Sequence, residues 1–323
     1  MSYTNVIDRT DAAALIPTDT SREIIKSVVE INPLMNLARR LPNIPTSQRT
    51  MPVQSALATA YFVNGDTGLK QTTSLNWSNV SITAEELAVI VPVPEAVLDD
   101  AEYDIWGEIR PALSEAFSVA ITEAVLYGTN IPASWTASLG AAGLLARATA
   151  AGHVVSAANY ADLYEAIMAE SSSGVPGLLM TLEADGFMAT GHIASTAMRG
   201  RFRGVRDQNG VPIFKASMQD VTRYELDGAP IYFPTDGTIH DDVSWMFTGD
   251  WTQLVYAFRQ DITYKMLDQA VIQNNTGAIV YNLAQQDMVA LRAVMRLGWA
   301  LPNPINRQNP DAASRLPFAV LTA

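Results

Sequence analysis

Residues 91–130 read VPVPEAVLDDAEYDIWGEIRPALSEAFSVAITEAVLYGTN. Two signals sit side by side in this stretch. Residues 95–108, EAVLDDAEYDIWGE, hold six carboxylates: Glu95, Asp99, Asp100, Glu102, Asp104 and Glu108. From there Ile105, Ile109, Leu113, Phe117, Ile121 and Val125 step by four, with Ala112, Ala116, Ala120 and Ala124 beside them. That spacing predicts one helix over 105–127 with a single apolar stripe. At ~34 Å it is about twice the mean helix length. Pro111 is expected to kink its second turn, and Gly128 to stop it.

The carboxylates admit two readings. One is a pair for acid/base work or a hard-cation site. The run lacks the alternating ligands, bend glycine and closing Glu of a calcium loop. The other reading is helix entry. Asp104 stands where an N-cap belongs, and acidic neighbours are favoured by the helix dipole. The spacing favours helix entry.

Composition narrows the function classes. The chain has 323 residues, enough for one large domain or two modest ones. It has no cysteine, which removes disulfides, thiolate metal sites and cysteine nucleophiles together. The net charge of −12 argues against a whole-chain nucleic-acid binder, which needs cations for phosphate. The N-terminus has no basic start followed by an apolar run, and no stretch approaches the ~18 apolar residues of a membrane helix. A cytoplasmic, soluble chain without membrane contact is expected. Charged residues make up 17%, below the usual ~25%. A charge-poor surface suits a chain covered by neighbouring subunits.

Along the chain, Ile24, Ile25, Val28, Val29 and Ile31 recur near helical spacing, with Pro33 interrupting and Pro42 and Pro45 stopping the pattern. Between Thr50 and Ala84 the only charges are Asp66 and Lys70. Leu75 and Trp77 alternate, then Val80, Ile82 and Ala84 after a phase slip. This predicts two long strands joined near 64–72, with GDTG at 65–68 turning the chain and a bulge near 78–79. A two-stranded ribbon is marginal alone, so this one needs a partner surface.

Residues 129–158 read as a loop. A helix is expected near 159–170, a buried strand at 177–181 (GLLMT) and a helix starting in EADGFMATGHIA. RDQNGVPIF and YELDGAPIYF carry Asn-Gly and Asp-Gly hairpin turns. Long strands close the chain. LVYAFRQDITYKML (254–267) alternates in two shorter runs. In MVALRAVMRLGWAL (288–301), Val289 through Leu301 at every second position share one face, with Arg292 and Arg296 on the other.

Catalytic patterns are absent. GDTGLK has two residues between its glycines where a phosphate loop needs four, and Leu69 precedes Lys70. GAAGLL at 140–145 fails the dinucleotide fingerprint. His153, His192 and His240 are isolated, and HDD at 240–242 reads as an exposed turn. No Gly-x-Ser-x-Gly elbow occurs. MRGRFRGVR holds Arg199, Arg201, Arg203 and Arg206 around Phe202. These could grip phosphate or carboxylates, and salt bridges between subunits are expected to be their use.

The order of elements carries a resemblance. An uncharged strand pair leads to VLDDA, then to a long helix ending at YGTN. LDGAPIYFPT follows, with Gly228, Pro230 and Ile231, and then GDW (249–251) ahead of YAFRQDITYKML. This order resembles the major capsid proteins of tailed bacteriophages, of the Hong Kong 97-like fold, over roughly residues 20–308.

The resemblance implies an α+β fold. Its parts are an N-terminal arm (1–45), an extended β-hairpin loop (46–90), a peripheral domain with a long spine helix (91–133 and 250–300) and an axial α/β domain (134–249 and 301–323). It implies a non-enzymatic subunit, without cofactor or metal, that forms hexamers and pentamers of an icosahedral head around double-stranded DNA. DNA would be touched only weakly and non-specifically. Lys70, Trp77, Asp99, Asp100, Asp104, Arg199, Arg201, Arg203 and Arg206 become candidates for contacts between subunits.

About 45 residues precede the ribbon, which implies a separate scaffolding protein or none. A portal and a decoration protein are further partners. Some relatives join a loop lysine to an asparagine. Lys70 with Asn274, Asn275 or Asn303 matches in type, but the required acidic catalyst has no counterpart. Two alternatives stand beside this reading. One is an encapsulin-type nanocompartment shell, with the helix near 20–40 binding cargo. The other is a metal-dependent α/β enzyme using the 95–108 carboxylates.

Overall fold

The structure, a computed structural model, describes residues 32–63, 68–100, 104–206, 224–274 and 276–323. The chain opens with α1 (Pro33–Leu37), β1 (Arg39–Arg40), β2 (Gln48–Ala56), β3 (Asn76–Thr83) and β4 (Glu85–Pro94). Then come α2 (Glu95–Asp100), α3 (Ile105–Leu126), α4 (Thr136–Leu139), α5 (Gly143–Ala151) and β5 (Val154–Ser156). The middle holds α6 (Leu163–Met168), α7 (Leu178–Ala184), β6 (Gly191–Ala194), α8 (Thr196–Gly204), β7 (Glu225–Leu226) and β8 (Ala229–Tyr232). It closes with β9 (Met246–Gly249), β10 (Val255–Leu267), β11 (Val271–Gln273), β12 (Ile279–Asn282), β13 (Met288–Ala300) and β14 (Phe318–Thr322).

Two sheets form the body. One has the order β1-β10-β13-β4 and the other β5-β14-β9-β6-β8-β7. Helix α3 joins them. Its Leu113, Phe117, Ile121 and Val125 are buried in one cluster with Leu291, Met295, Leu297 and Trp299 of the first sheet and Phe247, Phe318 and Val320 of the second. The predicted stripe is therefore the seam of the molecule. Each such side chain contributes about 1.5–3 kcal/mol by leaving water.

Strand period two explains the second layer. On β14, Phe318 and Val320 enter the cluster that holds α3, while Ala319 and Leu321 enter a second core with Ile167 of α6, Leu182 of α7 and Met198 and Phe202 of α8. The six-stranded sheet is thus covered on both faces, and its central strands β6 and β9 are buried at every position. β13 follows its predicted phase: Leu291, Ala293, Met295, Leu297 and Trp299 enter the α3 core, and Arg292 and Arg296 lie half-buried on the other side. The two runs of β10 match register shifts between Phe258 and Gln260 and between Gln260 and Thr263.

Several expectations need correction. Pro33, expected to interrupt a helical pattern, itself opens a helix. It starts α1 at the first helical position, where its missing N–H costs nothing. The Asn32 side chain caps this turn by accepting from Met35 N (3.2 Å), and its amide donates to Ser118 O and Thr122 Oγ1 on α3. The helix expected through Ile24–Ile31 lies outside the described residues, as do the RDQNGVPIF hairpin, Gly65, Asp66, Thr67 and Asn275.

GLLMT is helical rather than extended. Leu178, Leu179 and Leu182 bury one helical face in α7, whose entry at Gly177 touches the α6 backbone. The following helix is absent, and GHIA is strand β6. The 129–158 loop contains α4, α5 and β5. Its small residues serve close approach. Gly128 (φ 72°) and Gly143 (φ 71°) press their backbones together, and a Cβ on Gly143 would fall 2.6 Å from Gly128 N. The expected Gly128 stop is present, with its N–H donating to Ala124 O. The Asp-Gly turn is also present. Asp227 (φ 50°) and Gly228 (φ 73°) join β7 to β8 as a type I′ pair requires.

Both fully enclosed histidines are structural. His192 on β6 donates from Nε2 to Leu226 O (3.1 Å), so Nδ1 accepts the Thr248 hydroxyl (2.9 Å). Desolvation holds its pKa down to about 4, with the Leu226 carbonyl acting in the opposite direction. His153 faces Phe318 O (3.0 Å) and the Asp185 carboxylate (3.2 Å).

Two outcomes are expected. Phe117→Asp places an unpaired charge in the seam and removes a ring whose loss alone costs about 3–5 kcal/mol. Circular dichroism should show no cooperative melt, whereas Val97→Asp on exposed α2 should melt like the parent chain. The neutral His192 ring stabilises the fold fully above about pH 6.5, and that stability is lost as pH falls toward 4, because the unfolded chain binds the extra proton in this window. The loss amounts to about 3 kcal/mol. Urea midpoints of unassembled subunits at pH 7 and 4.5 should therefore differ more for the parent chain than for His192→Gln.

Candidate assembly surfaces

The ribbon is built on a buried base. β2 and β3 pair antiparallel from Gln48↔Thr83 to Ala56↔Asn76, and the one register shift falls between Gln54 and Ala56. The bulge is therefore in β2, not near 78–79 as the apolar phase suggested. The ladder also ends earlier than expected, and 57–63 and 68–75 lack strand pairing. At the base, Ile82 is fully buried with Ile44, Val255, Ala257 and Ala300. Gly298 makes this crossing possible, since a Cβ there would lie 2.5 Å from Ile82 Cγ2. Further out, Ile305 N–H donates to Gln54 O (3.2 Å) and Arg307 to Ala58 O (2.6 Å).

Beyond these ties the ribbon exposes apolar surface. Trp77 is 65% exposed, Leu69 91% and Phe62 fully exposed, with Tyr61 and Val63 beside it. Sequence reasoning singled out Trp77 and Lys70 and missed Tyr61, Phe62, Val63 and Leu69. The signal was available: YFV has no apolar run opposite it to pack against. Lys70 is exposed near the same end.

The acidic run is split. Glu95 opens α2 with its N–H on Asp287 O (2.9 Å), and Asp99 and Asp100 are exposed at its end. Glu102 lies outside the described residues. Asp104 holds the N-cap position of α3, but its side chain makes no capping hydrogen bond. The carboxylate folds over Gly107 instead, where a Cβ would be 2.6 Å from Oδ2. Glu95, Asp99, Asp100 and Asp104 have no ion-pair partner among the described residues. Nor do any three His, Asp or Glu side chains gather there to hold a metal.

The arginines do not act as one cluster. Helix α8 is capped by Ser195 and buries Met198 and Phe202. Arg201 is engaged within the chain: it makes two hydrogen bonds to Asp241 (2.7 and 3.0 Å) and its guanidinium stacks 3.8 Å above the Trp245 ring. The Arg201 hydrogen bond, joined by that of Ser195, lowers the Asp241 pKa against its partial desolvation. Asp241 is thus not the free turn residue that HDD suggested. Arg199 stacks on Tyr224 at 4.8 Å. Arg203 and Arg206 are exposed and hydrogen-bond only backbone carbonyls of their own segment among the described residues. The remaining asparagine candidates are occupied. Asn303 is buried and exchanges hydrogen bonds with Arg315, and Asn274 caps its own turn.

A groove opens between β4, the C-terminal half of α3 and the loop behind it. It is lined by Glu85, Glu86, Leu87, Ile121, Glu123, Ala124, Trp135 and Leu297, among others. Glu86 pairs with Arg296 (2.9 Å), Glu85 accepts from Ser134 (2.6 Å), and Glu123 lies 3.9 Å from His240 Nε2.

A two-sheet body with exposed apolar side chains on its ribbon, and charged groups spread over its surface, is suited to packing against other chains. A sequence model of the phage capsid family matches residues 12–305, and the chain belongs to that family. It is 26% identical over 278 residues to the major capsid protein of Staphylococcus phage 80alpha, covering 85% of this chain and 78% of that protein. A solved structure from Microbacterium phage Oxtober96 matches with a TM-score of 0.81 at 30% identity, covering 98% of this chain and 99% of that one. One from Mycobacterium phage Adephagia matches with a TM-score of 0.80 at 28% identity, covering 98% of each chain. The fold is the Hong Kong 97-like capsid fold. The chain is a structural subunit of an icosahedral phage head enclosing DNA. No helix among the described residues is long and apolar enough to cross a membrane.

Arg201 and the remaining arginines should separate by experiment. Arg201→Ala should cost the subunit no more than about 1 kcal/mol, since the pair with Asp241 is partly solvated. Arg203→Ala with Arg206→Ala should leave the melting temperature unchanged and weaken assembly most at low salt, as followed by light scattering. Equal assembly of this pair and the parent chain at all ionic strengths would remove these two arginines from the interface.

Proposed function

We propose that copies of this chain associate as hexamers and pentamers, with the outer part of the extended loop 46–90 of each lying over a neighbour. The observation that carries this reading is the exposed apolar end of the ribbon. Trp77 on β3, and Phe62 and Leu69 on the unpaired segments beyond the strands, are exposed, while the body touches the pair at its base and along β2. A ribbon of this kind gains order only by covering another surface.

In this reading the first sheet with α3 is the peripheral domain (91–133 and 250–300). The second sheet with its helices is the axial domain (134–249 and 301–323), and residues 1–45 form an arm. Asp99, Asp100 and Asp104 meet cations of adjacent subunits, for which exposed Arg203 and Arg206 are suited. The acidic balance keeps contact with packaged DNA weak and non-specific. Assembly in the host cytoplasm, with a separate scaffolding protein, a portal and a decoration protein as partners, completes the proposal.

Electron microscopy of the expressed chain, alone and with its scaffolding partner, tests it. Closed shells built of five- and six-membered rings are expected. A monomer that stays monomeric at high concentration in both conditions would refute the arrangement.

A further inference from the structure

The groove beside α3 has a volume of about 230 Å³. An apolar cavity of about 150 Å³ holds benzene, so this groove has room for a phenyl ring. Its floor is Ile121, Ala124, Trp135 and Leu297, all part of the buried body. Its rim is acidic. Of Glu85, Glu86 and Glu123, Arg296 neutralises Glu86, while among the described residues Glu85 meets a hydroxyl and Glu123 a distant histidine nitrogen. The site therefore suits an aromatic side chain with a cation close behind it.

The ribbon end carries that combination. Phe62 is fully exposed, and Leu69 and Lys70 stand exposed on the returning limb. The same chain cannot bring them together. Glu85 begins just past the base of the ribbon, two residues after β3 ends at Thr83. The nine residues of β2 then carry the chain about 27 Å away at ~3.3 Å per residue. Folding the end back would break the β2–β3 ladder.

We propose that Phe62 of one subunit seats in this groove on the next subunit, with Lys70 reaching Glu85 and Glu123 on its rim. The contact joins unlike surfaces, so it runs head to tail, as the contacts within a ring do, rather than making symmetric pairs. It rests on the reading that the ribbon lies over a neighbour, and it adds the anchoring residue and its receptor.

The chain has no cysteine, which leaves a clean background for disulfide mapping. Shells of the full chain carrying Val63→Cys and Thr129→Cys, the first beside Phe62, which is kept, and the second on the groove's exposed lip, should give on mild oxidation a ladder of linked subunits reaching ring size. Either single variant should give none. In parallel, a benzoylphenylalanine in place of Phe62 keeps an aromatic group and captures whatever it touches on irradiation. Crosslinks to peptides 85–87 or 120–135 of another subunit support the proposal.

Crosslinks to a neighbour elsewhere overturn the groove and leave the ribbon reading standing. Crosslinks confined to the subunit's own chain overturn both. Phe62→Ala should lower shell yield at least tenfold with an unchanged subunit melt, and an unchanged yield would also count against the groove.

Discussion

The packing of one helix against two sheets carries this molecule. Phe117, Ile121 and Val125 of α3 share one buried cluster with Leu291, Leu297 and Trp299 of the first sheet and Phe247, Phe318 and Val320 of the second. Trp251 locks the junction, donating from its indole to Gly191 O (2.9 Å) and meeting Phe318 edge-on. Two sheets hinged only by loops would drift. With a shared helix face they move as a unit, which suits a wall that must hold its shape.

The ribbon sits at the opposite extreme. Its base is as buried as any core position, through Ile82 under Gly298, while its far end exposes rings to water. An isolated subunit therefore carries surface that is complete only in company. The low charge of the chain, 17% of residues, is consistent with this, because a solvated monomer gains from charge that a covered face must desolvate. In the proposed arrangement the groove beside α3 ties both extremes together, since the helix that welds the body also receives the neighbour's ribbon.

The acidic run shows how far pattern alone carries. Its place ahead of α3 was legible from the stripe that follows, and Asp104 does stand at the N-cap. Its bonding was not legible. The carboxylate leans over Gly107 without capping, a choice set by local geometry. The arginines tell the same story. Four in eight residues looked like one patch, yet α8 spreads Arg199, Arg201 and Arg203 around its circumference and ends before Arg206, and the fold delivers Asp241 and Trp245 to Arg201 from forty residues away.

The sequence by itself determined the periodic elements: the α3 stripe, the alternation of β13, the split run of β10, the Asp-Gly hairpin and the ribbon. Each rests on spacing along a single element, where side-chain direction repeats every 3.6 or 2 residues. Only the tertiary structure decided the rest. GLLMT became a helix because its leucines meet a second core, 129–158 folded because its glycines allow backbones to touch, and the bulge moved to β2 because strand pairing, not one strand's pattern, sets register. Those outcomes depend on contacts between residues distant in the chain, and no local period records them.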